Sequence, residues 1–184
     1  IAFSGTAFIQ CPLTVDYNGF LLSLDTLGVD SIPRGGTSLA NAIREAIKGF
    51  KSGIKKYSVL VIITDGEDLE GNAVAAAEEA KKEGITIFCI GIGTREGELI
   101  PLRDSTGQRT YVKDQEGNVV KTRLDESILQ KIALTTGGSY VRATGAEFGL
   151  DLLYEHKLSQ MEKRELESKM SKQYEERYQP FLAL

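Results

Sequence analysis

Two apolar runs joined by a short helix-forming stretch constrain the fold of this chain most strongly. Residues 59–63 and 85–92 are almost entirely apolar, and neither run alternates regularly with polar residues. Such runs are typical of strands that are covered on both faces, as in a parallel sheet. The stretch between them, residues 72–83, is rich in alanine, the best helix former. A strand, a helix and a second strand form a βαβ unit, which is right-handed in nearly all proteins. We therefore predict a Rossmann-like, doubly wound α/β fold with a mostly parallel sheet.

Shorter elements are expected on both sides of this unit. Apolar spacing predicts helices where residues recur at three- and four-residue steps, and short apolar pairs predict strands. The resulting elements are two short strands within residues 1–13, helices at 16–28, 39–50 and 125–136, and a short strand at 139–141. In the first of these helices, the inward face is expected to carry Phe20, Leu21, Leu24 and Leu27.

The chain is expected to consist of two parts. Residues 1–148 hold the α/β fold, with a hairpin insertion at about 108–122 in which residues 111–112 pair with 119–120. Residues 149–184 form an amphipathic helix, because apolar residues recur there at mostly four-residue steps and the remaining positions carry nearly balanced charge. Both termini are apolar and the chain does not begin with Met, so we expect it to be a piece of a longer polypeptide.

Composition excludes several classes of function. The 22 basic and 26 acidic residues leave a net charge of −4, which does not fit a nucleic-acid-binding surface. A single histidine, His156, and two cysteines, Cys11 and Cys89, are too few for a zinc site built from several Cys or His ligands. We expect His156 to be a solvated helix residue and both cysteines to be small apolar side chains. Any metal bound here would therefore be held by oxygen atoms.

Acidic residues crowd the end of the first buried strand. Asp65, Glu67, Asp68 and Glu70 follow the run at 59–63, and ligands of open α/β sheets bind outside the carboxyl ends of strands. One interpretation is a divalent cation, which would offset the repulsion between carboxylates. The other is that these carboxylates interact favourably with the positive N-terminus of the following helix and stabilise it.

Thr37 is the second candidate, at the end of a glycine pair and the start of a helix. Its hydroxyl fits three interpretations. It is a metal ligand, it is the N-cap of the helix, or it belongs to an anion site at the helix N-terminus. The residues alone leave these open, and the N-cap is the more common role.

Two strings of residues carry a resemblance to a known family. Residues 33–39 and 61–67 together resemble the second and third loops of a von Willebrand factor type A domain. In that family a metal-ion-dependent adhesion site takes a Thr from the second loop and an Asp from the third, and these match Thr37 and Asp65. Further stretches resemble the bacterial aerotolerance (Bat) group of membrane-anchored type A proteins; they are residues 2–8, 11–14, 91–94, 111–114 and 117–120.

The resemblance implies a metal site that this chain does not complete. The family's Asp-x-Ser-x-Ser motif, which supplies three protein ligands, does not occur in this sequence. In the family it follows a first strand that precedes the point where this chain begins, so the first strand and its helix are expected to be missing here. Mg²⁺, or Mn²⁺ or Ca²⁺ in its place, is thus expected in a complete domain, and Thr37 and Asp65 alone would hold it poorly.

The resemblance also implies a function and a location. A partner protein would offer an acidic residue to the metal, and Arg34, Ser38, Glu67, Asp68 and Arg95 would line the contact. Bat proteins are associated with MoxR-type ATPases. They continue into a membrane segment, so the parent protein is expected in the bacterial cell membrane, with this domain as a soluble part on the periplasmic side.

We therefore expect a metal-dependent protein-binding domain and not an enzyme. Two alternatives remain open from the residues. One is a metal-independent scaffold with a degenerate site. The other is a Mg²⁺-dependent phosphoryl-transfer or hydrolytic enzyme, with Asp65 as nucleophile or metal ligand.

Overall fold

A computed structural model of the chain describes most of its first 143 residues. The described residues are 1–28, 31–32, 36–51, 58–66, 68, 71–94, 96–99, 101–103, 108–111, 117, 119, 121–122, 124–143 and 150. The chain divides into two compact units, Ile1–Ala143 and Thr144–Leu184. The predicted C-terminal helix at 149–184 lies outside the described residues, apart from the helical Leu150. Among the helices of the described part, none combines the length and apolar character needed to cross a membrane.

A three-stranded parallel sheet forms the centre of the first unit. Its strands are β3 (Ser58–Thr64), β4 (Ile85–Gly91) and β9 (Tyr140–Arg142), in the spatial order β3-β4-β9. β3 and β4 pair along their whole length, from Ser58 opposite Ile85 to Thr64 opposite Gly91. This sheet confirms the predicted α/β fold, and β9 begins one residue later than expected.

Helices cover one face of this sheet. They are α2 (Leu39–Lys51), α3 (Ala73–Lys82) and α4 (Glu126–Thr135). The apolar side chains of α2 recur on one face and are buried there, except for Phe50, which is half-buried. The small alanines of α3 allow close packing against α2 and α4. One continuous core results; its members include Leu39, Ile43, Ile62, Ala73, Ala76, Ala77, Ala80, Ile87, Leu129 and Ile132.

The first helix, α1 (Tyr17–Asp25), is not buried as predicted. Asp16 caps it by accepting a hydrogen bond from the backbone N–H of Gly19 at 3.0 Å. None of its residues is buried, and the expected inward residues Phe20, Leu21 and Leu24 are 47%, 53% and 48% exposed. Apolar spacing shows which side chains share a helix face, but it does not show what covers that face. In the described part of the chain, this face stays largely uncovered.

Among the described residues, three further antiparallel pairs lie outside the central sheet. β1 (Ala2–Phe3) and β2 (Ala7–Phe8), the two strands predicted within residues 1–13, pair with each other. The other two pairs lie within residues 98–122 and so begin before the predicted insertion at about 108; they are β5 (Glu98–Leu99) with β8 (Lys121–Thr122), and β6 (Pro101–Arg103) with β7 (Arg109–Tyr111).

The pairing of β6 with β7, in which Tyr111 lies opposite Pro101, was not predicted. The stretch between β6 and β7 also contains a glycine and is as short as the predicted loop, so turn residues alone did not indicate this pairing. Val112 and Val120 lie outside the described residues.

The contact between Gly138 and β4 makes a first prediction. A Cβ at Gly138 would collide with the backbone carbonyl of Ile87, and that backbone cannot move without disturbing the sheet. We expect Gly138→Ala to destabilise the fold by about 1–3 kcal/mol, the usual cost of overpacking. Gly28→Ala is the matched control, since its Cβ would meet no atom within 4 Å. Urea unfolding measures the stability of both variants. Equal unfolding midpoints would contradict the expected collision between a Cβ at position 138 and the Ile87 carbonyl.

The two cysteines give a second prediction. Burial of Cys89 within β4 raises the pKa of its thiol to about 12, whereas Cys11 is partly exposed. Because the thiolate is the reactive form, a disulfide reagent at pH 8 should modify one thiol in the folded protein and two in urea. Replacing Cys11 by Ser should leave the folded protein without a thiol that reacts rapidly. Rapid modification of Cys89 in the folded Cys11→Ser variant would show that β4 is accessible.

Candidate functional site

The first candidate, Asp65, lies in a turn directly after β3. The backbone N–H of Gly66 donates to Oγ1 of Thr64 at 3.2 Å, and this hydroxyl in turn lies 3.4 Å from Oδ1 of Asp65 and donates to it. Thr64 is nearly buried, while Asp65 is half-buried. The strand thus ends in a turn that is closed by the side chain of its last residue, with a carboxylate at the edge of the sheet.

The N-terminus of α4 supports this turn from the other side. The backbone N–H of Asp125 donates to the carbonyl of Asp65 at 3.3 Å. Gly66 has a φ of +83°, and a Cβ there would lie 2.7 Å from the carbonyl oxygen of Asp125. The turn therefore needs glycine for two reasons, its backbone conformation and the close approach of α4.

Asp125 also caps α4 with its side chain. Its Oδ1 accepts hydrogen bonds from the backbone N–H groups of Ser127 and Ile128, at 3.0 and 3.4 Å, and from the Ser127 hydroxyl at 2.7 Å. The same residue thus fixes the start of α4 and contacts the Asp65 turn. The sequence analysis missed the role of Asp125, although an Asp at the first position of a predicted helix is a recognisable N-cap signal.

Backbone hydrogen bonds connect the neighbouring loops at this edge. The N–H of Ile92 donates to the carbonyl of Thr64 at 2.8 Å, and the N–H of Leu124 donates to the carbonyl of Thr94 at 2.9 Å. The segments that follow β3 and β4 and the segment that precedes α4 are therefore bonded to one another. Such an arrangement holds Asp65 in place before any ligand arrives.

The second candidate, Thr37, lies in a loop that the β1–β2 hairpin holds. The hydroxyl of Ser4 donates to the carbonyl of Gly36 at 2.7 Å, and the N–H of Ser38 donates to the carbonyl of Ser4 at 2.8 Å. Thr37 lies between these two bonds and is half-buried. Ser4 therefore positions the Thr37 loop, a role that the sequence analysis did not identify.

Ser38, and not Thr37, is the N-cap of α2. Its Oγ accepts from the backbone N–H of Asn41 at 3.4 Å, and its carbonyl accepts from Ala42 at 3.3 Å. Ser38 is 0% exposed, so its side chain supports the helix and does not face a partner. This finding removes capping as the explanation for Thr37.

Of the remaining predicted residues, the structure describes Asp68. Its Oδ2 accepts from the backbone N–H of Ala73 at the start of α3, at 3.3 Å, while its buried Oδ1 has no hydrogen-bond partner among the described residues. Asp68 thus stabilises the N-terminus of α3, which is the helix-supporting role that the sequence offered as the alternative to metal binding. Arg34, Glu67 and Arg95 lie outside the described residues.

The described residues do not by themselves fit a divalent cation. Among them, no group of three or more His, Cys, Asp or Glu side chains is placed to hold an ion. Thr37 and Asp65 would supply two oxygen atoms, whereas Mg²⁺ demands six oxygen ligands and gives up water reluctantly. Any metal at this edge would need protein ligands beyond these two residues.

Comparison with known proteins identifies relatives over most of the chain. Residues 1–148 match the von Willebrand factor type A domain. The chain is similar to the crystal structure of BatB from Bacteroides thetaiotaomicron, with 36% identity and a TM-score of 0.78, covering 88% of this chain and 77% of that one. It is also similar to an aerotolerance-related membrane protein from Bacteroides fragilis, with 37% identity and a TM-score of 0.71, covering 78% of this chain and 70% of that one.

A curated relative matches over a shorter stretch. YwmC of Bacillus subtilis is 39% identical over 80 residues, which are 42% of this chain and 34% of YwmC. The chain thus spans about a third of the length of this relative.

The cap at Asp125 generates a third prediction. Asp125→Ala removes the side-chain acceptor and should cost about 1 kcal/mol of unfolding free energy, the typical value for a lost N-cap. Asp125→Asn keeps an acceptor of the same shape and should stay within a few tenths of a kcal/mol of the unaltered chain. Urea unfolding compares the two. Equal losses in both variants would mean that the carboxylate charge, and not the cap geometry, stabilises α4.

Proposed function

Because the chain belongs to the von Willebrand factor type A domain family, we propose that it binds another protein through the loops that carry Thr37 and Asp65. The observation that supports this best is the turn at Asp65. A half-buried carboxylate is held at the sheet edge by the side chain of Thr64 and by the backbone of α4. Residues fixed before binding lose little conformational entropy when a partner arrives, so such an edge is suited to recognition.

We propose that this recognition depends on a metal in a complete domain. Mg²⁺, or Mn²⁺ or Ca²⁺, would be held by Thr37 and Asp65 together with protein ligands that the described residues do not supply. When bound, the cation would offset the cost of burying an acidic side chain of the partner. The charges of Arg34, Glu67, Asp68 and Arg95 would shape the surrounding surface.

The relatives support a proposed location, and the family resemblance supports a proposed partner. BatB and the aerotolerance-related membrane protein cover most of this chain, so we propose that the parent protein is membrane-anchored, with this domain on the periplasmic side. A MoxR-type ATPase is the proposed partner, and the function is assembly of envelope proteins. We propose binding and not catalysis, since the sequence offers one histidine and no Walker-type phosphate loop.

The role of Asp65 is tested by metal titration in two polypeptides. In the 184-residue chain, Mg²⁺ should change the unfolding temperature little, because two protein ligands are too few. In a polypeptide extended upstream of Ile1 as its coding sequence directs, a 100-fold excess over Kd should stabilise the fold by about 2.7 kcal/mol. Asp65→Ala and Thr37→Val should abolish that gain, whereas Thr37→Ser keeps the hydroxyl and should retain it.

Binding itself is tested with the proposed partner. The MoxR-type ATPase of the same organism should be retained by the extended polypeptide in Mg²⁺ and released in EDTA, and Asp65→Ala should lose it. Retention that persists in EDTA would favour a metal-independent scaffold, which the incomplete donor set of the described residues also allows. Hydrolysis of a phosphate ester that Asp65→Ala abolishes would instead indicate an enzyme.

A further inference from the structure

Strands β5 to β8 lie outside the core of the domain. Within residues 98–122, no residue whose exposure the structure describes is buried, and none of them belongs to the core cluster. Leu99, Tyr111 and Val119 are 38%, 42% and 43% exposed. In the described part of the chain, these strands pair with one another and not with the central sheet. Exposed apolar residues that are gathered in one element, and not scattered singly, are typical of an interaction site.

The pairing of β6 with β7 places two arginines opposite each other. Arg103 lies opposite Arg109, and Pro101 lies opposite Tyr111. The Cβ atoms of residues at opposed positions are about 5 Å apart. Like charges directly opposite each other destabilise a strand pair. Strand pairing alone therefore gives no reason for arginine at both positions.

The two opposed pairs share one face of the β6–β7 pair. Successive residues alternate between the faces of a strand, so Arg103 lies on the face of Pro101. By the same rule, Arg109 lies on the face of Tyr111. Pro101 and Tyr111 are both exposed, whereas Thr110, on the opposite face, is half-buried. One face thus combines a row of two arginines with an exposed row of proline and tyrosine.

An acidic group is the ligand that this arrangement suits. A guanidinium group keeps its charge at physiological pH and forms paired hydrogen bonds with a carboxylate. A carboxylate between Arg103 and Arg109 would replace the repulsion between them by two attractions. The exposed ring of Tyr111 adds apolar contact area beside this position. Tyrosine and arginine are the residue types enriched at the positions that dominate binding between proteins.

The charge pattern favours a protein over a membrane surface as the partner. Residues 98–123 contain five basic residues, which are interspersed with four acidic ones. Segments that bind anionic lipids are instead clusters of about four to eight basic residues. An acidic lipid surface would meet the four acidic residues as well, whereas a single acidic side chain needs contact only with the arginine pair.

We propose that this face of β6 and β7 binds an extended segment of a partner protein, in which an acidic residue and an apolar residue are two positions apart. The carboxylate would lie between Arg103 and Arg109. The apolar side chain would cover Pro101 and Tyr111. The two rows are two residues apart along each strand, about 7 Å, and the same distance separates residues i and i+2 of an extended segment.

Titration of the 184-residue chain with a synthetic peptide, followed by amide NMR, tests the proposal. The probe is acetyl-Thr-Thr-Glu-Thr-Leu-Thr-Thr amide, in which the acidic and apolar residues are two positions apart. It should shift the amide resonances of Arg103, Arg109 and Tyr111 and leave those of β3 and β4 in place. One control peptide carries Gln in place of Glu, and another has Glu and Leu adjacent. Each should bind at least about tenfold more weakly, because it loses one of the two contacts.

Substitutions in the chain separate the arginine pair from its surroundings. Arg103→Gln and Arg109→Gln should each weaken binding of the probe at least about tenfold. Lys121→Gln removes a basic residue of β8 outside the pair, and it should change the affinity by less than about twofold, because salt screens distant charges. In the absence of peptide, neither arginine substitution should lower the urea midpoint, since each removes a repulsion between opposed charges.

Two outcomes would overturn the proposal. The first is equal affinity for the Glu and Gln peptides, or a titration without shifts in β6 and β7. The second is binding to phosphatidylglycerol vesicles that Arg103→Gln abolishes, which would assign the arginines to a membrane surface. All titrations are made in EDTA, and the proposed surface includes neither Thr37 nor Asp65. Its failure is therefore distinguishable from failure of the metal-dependent function.

Discussion

The parallel pairing of β3 with β4 is the constraint on which the rest of this structure depends. Seven consecutive residues of each strand are in register, so both strands end at the same level. The turn at Asp65 and the loop at Thr94 therefore emerge side by side, close enough for Ile92 to bond to Thr64 and for Leu124 to bond to Thr94. The candidate site is thus a consequence of strand register, since a slip of one residue would turn every side chain to the other face.

The sequence predicted those parts of the fold that depend on local pattern. The strands at 59–63 and 85–92, the helix face of α2 and the alanine-rich α3 all carry their periodicity in neighbouring residues. It did not predict the exposure of α1 or the pairing of β6 with β7. Both depend on what lies across from an element, and residue spacing along one element contains no information about its partner.

The candidate site also combines features that local sequence predicts with contacts from distant residues that it does not predict. Thr37 and Asp65 could be identified from motifs that are local in sequence, whereas the bonds that hold them come from far along the chain. Ser4 contacts a loop 32 residues away, and Asp125 contacts a turn about sixty residues before it. Apart from the Ser4 hydroxyl, these contacts use backbone atoms, which every residue possesses, so residue type gives little indication of them in advance. The residues also left the N-cap of α2 open between Thr37 and its neighbour, because Thr and Ser are both good caps and stand next to each other; the structure shows that Ser38 is the cap.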